Sequence, residues 1–351
     1  MTTQSAFLSR LGMDVPIIQA PMAGVSTPQM AAAVSNAGGL GSLGLGASTI
    51  EDARQALQDA ASLTNRALNA NVFCHAPALR DEGKEAQWLA KLSPHFARFG
   101  AAPPSGLREI YDSFRGSEAM FDMLLDEAPK VVSFHFGLPR KDQIAAFADR
   151  GIVTLATATN LDEARQIEAL GIDAVVAQGW EAGGHRGTFD ENAPDSQMGT
   201  FALTRLLVQS LFCPVIAAGG VMDGAGIRAA LDLGAVAVQM GTAFIACDES
   251  SANQAYQDAL ASDAAHETVM TRIISGRPAR CLSNKFTALG ETVMREHVPS
   301  YPVTYDAGKA LNAAAVAGGE TGYGAHWAGQ GAPLSRRMST SALMAVLQAE
   351  L

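Results

Sequence analysis

VVSFHFGLPRKDQIAAFADRGIVTLATATNLDEARQIEALGIDAVVAQGWEAGGHRGTF, residues 131–189, runs twice through one grammar: an apolar run, a helical pattern, a glycine, then another apolar run. Val131–Phe134, Val153–Ala156 and Ala174–Gln178 are short and mostly apolar, as strands buried on both faces of a parallel sheet are. Lys141–Arg150 and Leu161–Leu170 carry helical spacing between them. Asn160 stands before Asp162 and Glu163, which puts a cap and acidic groups where the first amides of a helix lack partners. Gly151 and Gly171 close the two helices, where the chain turns through positive φ. This is the pattern of successive β-α-β units.

The same pattern extends in both directions. Upstream lie strand candidates Pro16–Ala20, Leu40–Leu43 and Leu68–Phe73, and downstream Val215–Ala217 and Ala237–Met240. Helical patterns at Pro28–Ala37, Ile50–Leu63, Ala202–Leu211 and Gly224–Leu233 alternate with them. Ser48 and Glu51 form a capping-box arrangement, and Gly38 and Gly234 close further helices. Eight strands predict an α/β chain folded as a (β/α)8 TIM barrel. The rhythm breaks at about 77–129, where two helical stretches make an elaborated crossover, and again after Asp248. The expected organisation is a barrel over 1–249 with that insertion, a small cap or substrate domain over 250–309, and a C-terminal segment, 310–351, returning to the barrel.

Composition narrows the function. Of the 351 residues 48% are hydrophobic and 17% charged, enough for a large core, and the net charge of -10 gives no basic footprint for nucleic acid or anionic lipid. No apolar run reaches the ~20 residues of a membrane span, and the first residues lack a signal-peptide pattern, so a cytoplasmic protein acting on a small molecule is expected. Cys74, Cys213, Cys247 and Cys281 show neither CxxC nor zinc-ribbon spacing and read as reduced, buried thiols. No HxH or HExxH spacing supports a metal.

In such barrels the chemistry sits just past the carboxyl ends of the strands. Gly219 and Gly220 follow the seventh strand, while Gln239, Met240, Gly241 and Thr242 end the eighth. Their glycines suit a phosphate, because absent side chains let backbone amides approach the anion and Thr242 can donate as well. GLGSLG at 39–44 matches a dinucleotide fingerprint, but a helix precedes it and a strand occupies its middle, so that reading fails. His185 stands in EAGGHRGTF, on a glycine-flanked loop able to reach a ligand, and its near-neutral reference pKa suits proton transfer. His135, just past the fourth strand, is either a second polar group in the pocket or a capping residue. The other histidines, at 75, 95, 266, 297 and 326, read as structural. Gln178 and Asn71 end strands with amides that either satisfy neighbouring backbone or present donors and acceptors to a flat heteroaromatic ring such as an isoalloxazine.

The segments QAPMAGVSTPQMAAAVSNAGGLGSLG, NVFCH, VSFHFG, AQGWEAGGHRGTF, PVIAAGGV, VQMGTAFIACDES and YPVTYDAGKALNAAA resemble the nitronate monooxygenases, formerly 2-nitropropane dioxygenases, the last of them class I of that family. The resemblance implies FMN held by Pro21, Met22 and Ala23 near the ring, with Asn71, Gln178, Gly183, Gly184, Gly219, Gly220, Gln239, Met240, Gly241 and Thr242 completing the site. It implies His185 as the catalytic histidine, and Tyr301, Tyr305, Lys309 and His135 on the substrate side. The implied reaction is oxidation of alkyl nitronates, notably propionate 3-nitronate, by molecular oxygen without a nicotinamide cofactor. His185 would hydrogen-bond the nitronate or remove the α-proton of a neutral nitroalkane. Two alternatives share these features. One is an FMN barrel reductase using NAD(P)H, of the enoyl-acyl-carrier-protein or quinone reductase kind; the other is a non-catalytic barrel that binds flavin or a phosphate ligand.

Overall fold

The computed structural model describes residues 3–351. Eight parallel strands form the central sheet: β1 Ile17–Gln19, β2 Gly41–Gly44, β3 Leu68–Phe73, β4 Val131–His135, β5 Val153–Ala158, β6 Ala174–Gln178, β7 Val215–Ala218 and β8 Ala237–Met240. Each pairs with its sequence neighbour from β2 to β8, and β8 pairs with β1. A parallel bridge between Ile18 and Leu40 closes the ring. Ile18, Leu40, Leu155, Val176 and Ile216 pack together at 2% exposure or less, so the interior is packed side chains rather than a channel.

Local chemistry explains the joints. The Asn160 side chain accepts the Glu163 N–H at 2.9 Å, as expected, and Gly38, Gly151, Gly171 and Gly234 all take positive φ. The cap of Ile50–Leu63 is one residue later than the sequence suggested: Thr49, not Ser48, accepts the Asp52 N–H at 3.1 Å. Gly41–Gly44 is the second strand, which leaves the dinucleotide reading no turn to occupy.

The crossover after β3 divides in two. Glu118–Glu127 packs Met120, Met123 and Leu124 into the barrel shell. Glu82–Ala97 instead packs Trp88, Leu92 and Phe96 against Ala307, Leu311 and Ala315 of the helix Val303–Ala317. That helix runs through the division expected at residue 309. Each buried large apolar side chain contributes about 1.5–3 kcal/mol, so this seam fixes Val303–Ala317 over the mouth. Strands β9 Thr268–Thr271 and β10 Ala279–Leu282 form an antiparallel pair beside it. The C-terminal helix Thr340–Ala349 returns Leu343, Met344 and Leu347 to the barrel wall. No helix among the described residues is long and apolar enough to cross a membrane.

Candidate active site

A cavity of about 550 Å³ opens at the carboxyl rim, and every cofactor and substrate candidate read from the sequence lines it. Among the described residues lining it, Lys309 is the only Lys, Arg, Asp or Glu.

One end is backbone. Gly219 and Gly220 take φ of 115° and 74°, conformations that side chains rarely adopt. A Cβ on Gly219 would stand 2.8 Å from Thr200 Oγ1, and one on Gly183 would stand 2.4 Å from the Gly329 nitrogen. The N–H groups of Gly220, Val221, Gly241 and Thr242 have no acceptor among the described residues. Amides left unpaired on a cavity wall are free to meet a ligand or water. The Thr242 hydroxyl accepts the Gly329 N–H at 3.0 Å, which leaves its own proton to donate. These features fit a phosphate.

Two amides are engaged within the protein. Gln178 faces the cavity, yet its Nε2 donates to the His185 carbonyl at 3.0 Å and its Oε1 accepts the Gly187 N–H at 2.8 Å. It braces the 185–187 backbone rather than offering its amide to a ring. Asn71 gives Nδ2 to Ser133 O and Oγ, at 3.1 and 2.9 Å, and keeps only its carbonyl oxygen free. Gln239 has no side-chain partner among the described residues, so its amide is the uncommitted one.

The other end is made of side chains. His185 does not lie on a free loop: Gly184–His185 is a two-residue strand paired antiparallel with β10, His185 opposite Ala279. The partner strand is far downstream, so local sequence carries no trace of this pairing. His135 Nε2 meets the His185 carbonyl at 3.2 Å, and a Cβ on Gly187 would lie 2.8 Å from the His135 ring. His135 thus lines the cavity while one nitrogen is spent on the backbone of His185. The ring of His185 lies 4.9 Å from Trp327, 5.5 Å from Tyr301 and 5.6 Å from Phe136, centroid to centroid. Phe136 takes φ 71°, a left-handed conformation costly for a bulky residue and suggestive of a site held by its surroundings.

Burial sets the electrostatics here. It lowers the pKa of His185 to about 3, helped by the charges of His135 and Arg277, and that of His135 to about 4. Both imidazoles are neutral at ordinary pH. Arg277, 3% exposed, stacks 4.4 Å over Phe136 and donates to the Thr188 carbonyl. The Tyr301 hydroxyl is buried without a partner, and burial raises its pKa well above the usual value. Lys309 Nζ sits 4.9 Å over Tyr111 and 5.5 Å over Tyr305, and burial lowers its pKa.

Tyr111, Phe136, Asn312 and Trp327 line the cavity too, and sequence reading missed them. Asn312 was legible in principle, since Tyr305, Lys309 and Asn312 follow the i, i+4, i+7 spacing of one helix face. His326, read as structural, also reaches the cavity wall, stacked 4.7 Å from Tyr256.

A (β/α)8 barrel whose rim cavity joins uncommitted backbone amides to a partly buried, neutral imidazole walled by aromatic rings suits an oxidoreductase of the flavin type. Residues 5–350 match the family model described as nitronate monooxygenase. The nitronate monooxygenase of Paraburkholderia phytofirmans is 57% identical over 350 residues, covering 100% of this chain and 96% of that one. That of Pseudomonas aeruginosa is 52% identical over 347 residues, covering 98% of each. The solved nitroalkane oxidase of Streptomyces ansochromogenes superposes with a TM-score of 0.88 at 39% identity, covering 98% of this chain and 97% of that one. The chain belongs to the nitronate monooxygenase family and is an enzyme of that type.

Proposed function

We propose that the protein binds FMN at the barrel rim and oxidises alkyl nitronates of the propionate 3-nitronate type with molecular oxygen, needing no nicotinamide. One observation carries this reading: a single cavity has two seats for negative charge, one of unpaired backbone amides and one of Lys309, Tyr301 and neutral His185. The amide seat, with Thr242 and no Lys or Arg, suits one phosphate monoester. The second seat suits a small dianion with a nitronate at one end and a carboxylate at the other.

Gly219, Gly220, Gly241 and Thr242 would hold the phosphate, and Pro21, Met22, Ala23, Asn71, Gly183, Gly184, Gln239 and Met240 would surround the remainder. Gln178 acts through the backbone it braces. The flavin, when bound, supplies the electron transfer from substrate to oxygen. Lys309, exposed at the cavity wall, attracts the carboxylate by its charge. The Tyr301 hydroxyl gains the acceptor it lacks. Phe136, Tyr111, Tyr305 and Trp327 exclude water and so strengthen each of these contacts. Four unpaired thiols agree with a cytoplasmic protein.

Oxygen uptake with propionate 3-nitronate, measured with and without NADH, tests the proposal, together with the flavin released on denaturation. Uptake indifferent to NADH and release of FMN are expected. Anaerobic bleaching of the flavin by NADH or NADPH, with no oxygen uptake on adding nitronate, would establish the reductase instead. A flavin spectrum unmoved by either compound would leave only the binding protein.

A further inference from the structure

The two ring nitrogens of His185 have different surroundings. Nε2 lies 2.9 Å from Ser275 Oγ, whereas Nδ1 has no partner among the described residues. Ser275 is 1% exposed and sits in the turn that joins β9 to β10, the strand that also fixes the His185 backbone. Its oxygen receives the Arg277 N–H at 3.4 Å and stands 3.2 Å from the Arg277 carbonyl oxygen. A serine hydroxyl has one proton to give. The Arg277 carbonyl and the imidazole compete for it, and the contact with the imidazole is the shorter.

A neutral imidazole carries its own proton on one nitrogen only, and the hydrogen bond at the other nitrogen decides which. With the proton on Nε2, the bare lone pair of Nδ1 would face a nitronate whose oxygens are already electron-rich. With the Ser275 hydroxyl donating to Nε2, Nδ1–H faces the cavity and the anion gains a donor. We infer that Ser275 is a positioning residue that holds His185 as the Nδ1–H tautomer, making the imidazole a hydrogen-bond donor to the substrate. No proton changes hands in this role. His135 provides the contrast: its Nε2 meets a carbonyl, which can only accept, so it carries the proton on Nε2. The two histidines that meet at the His185 backbone are opposite tautomers.

The purpose of the tautomer rests on the nitronate reading, but the tautomer belongs to the substrate-free protein and is measurable there. The experiment is long-range 1H–15N NMR on FMN-loaded enzyme labelled with 15N-histidine, with His185→Asn assigning the signal. Wild type is expected to show Nδ1 protonated and Nε2 bare. Ser275→Ala should move the signal towards the Nε2–H form and raise KM for propionate 3-nitronate about three- to tenfold, with kcat changed less, the scale of one neutral hydrogen bond. Ser275→Thr, which keeps the hydroxyl, should restore both, and equal flavin content in all three proteins shows that they are folded. A wild-type signal with the proton on Nε2, or a tautomer indifferent to Ser275→Ala, overturns the inference whatever the enzyme oxidises. The expected NMR result with no turnover of any nitronate would overturn the substrate reading alone.

Discussion

The two ends of the cavity are built by opposite means. The end proposed for the phosphate is backbone, supplied by turns that directly follow β7 and β8, and its donors exist because glycines leave the amides bare. The far end is side chain, assembled from residues 111, 136, 185, 301, 305, 309 and 327, most of them on segments outside the barrel's β-α repeat. A seat for a cofactor can thus be part of the scaffold's own geometry. A seat for a substrate depends on how distant segments pack.

If chemistry belongs to the side-chain end alone, His185→Asn should keep its FMN and lose kcat/KM by about 100-fold or more, the scale of a positioned polar group in a transition state. Normal turnover in that variant would erase the distinction between the ends. Gly219→Ala attacks the other end, forcing a side chain into φ 115° against Thr200. Strain there costs about 1–3 kcal/mol, so FMN affinity, followed by fluorescence titration of the apoprotein, should fall about tenfold or more while saturating FMN restores kcat. Failure of FMN to rescue turnover would mean that the cradle also shapes the substrate end.

Lys309→Met sharpens the comparison within the side-chain end. KM for propionate 3-nitronate should rise about three- to tenfold, and KM for ethyl nitronate, which has no carboxylate, should hardly move. An equal rise for both would assign the lysine to the nitronate group. The smallest effect expected is that of pH. With its pKa lowered to about 3, His185 is neutral above that value and becomes charged only as pH falls towards it. The log kcat/KM profile should therefore show no histidine break between pH 5 and 8, and a break near 6.5 that vanishes in His185→Asn would contradict the lowered pKa.

The same division governs what was legible in the sequence. Strands β3, β6 and β8 match the expected runs residue for residue, because buried parallel strands have a pattern of their own and glycine marks the ends of the helices. Gly219, Gly220 and Gly241 were legible for the same reason, as they immediately follow β7 and β8. His185 was found by its glycine-rich surroundings, but its pairing with β10 and its contact with Ser275 were not, since nothing near either residue encodes the other. Gln178 was located at the cavity with two roles open, and its bonds to the 185–187 backbone were hidden because they come from a loop that doubles back. The family resemblance supplied Tyr301, Tyr305 and Lys309, whereas Trp327 and Tyr111 came into view only in three dimensions.

The segment 324–331 touches both ends at once. Its Gly329 amide holds the Thr242 hydroxyl, and two residues earlier Trp327 lies on the His185 ring. Coupled equilibria are reciprocal, so a coenzyme phosphate that steadied Thr242 through this segment would steady the indole by the same free energy, and the reverse.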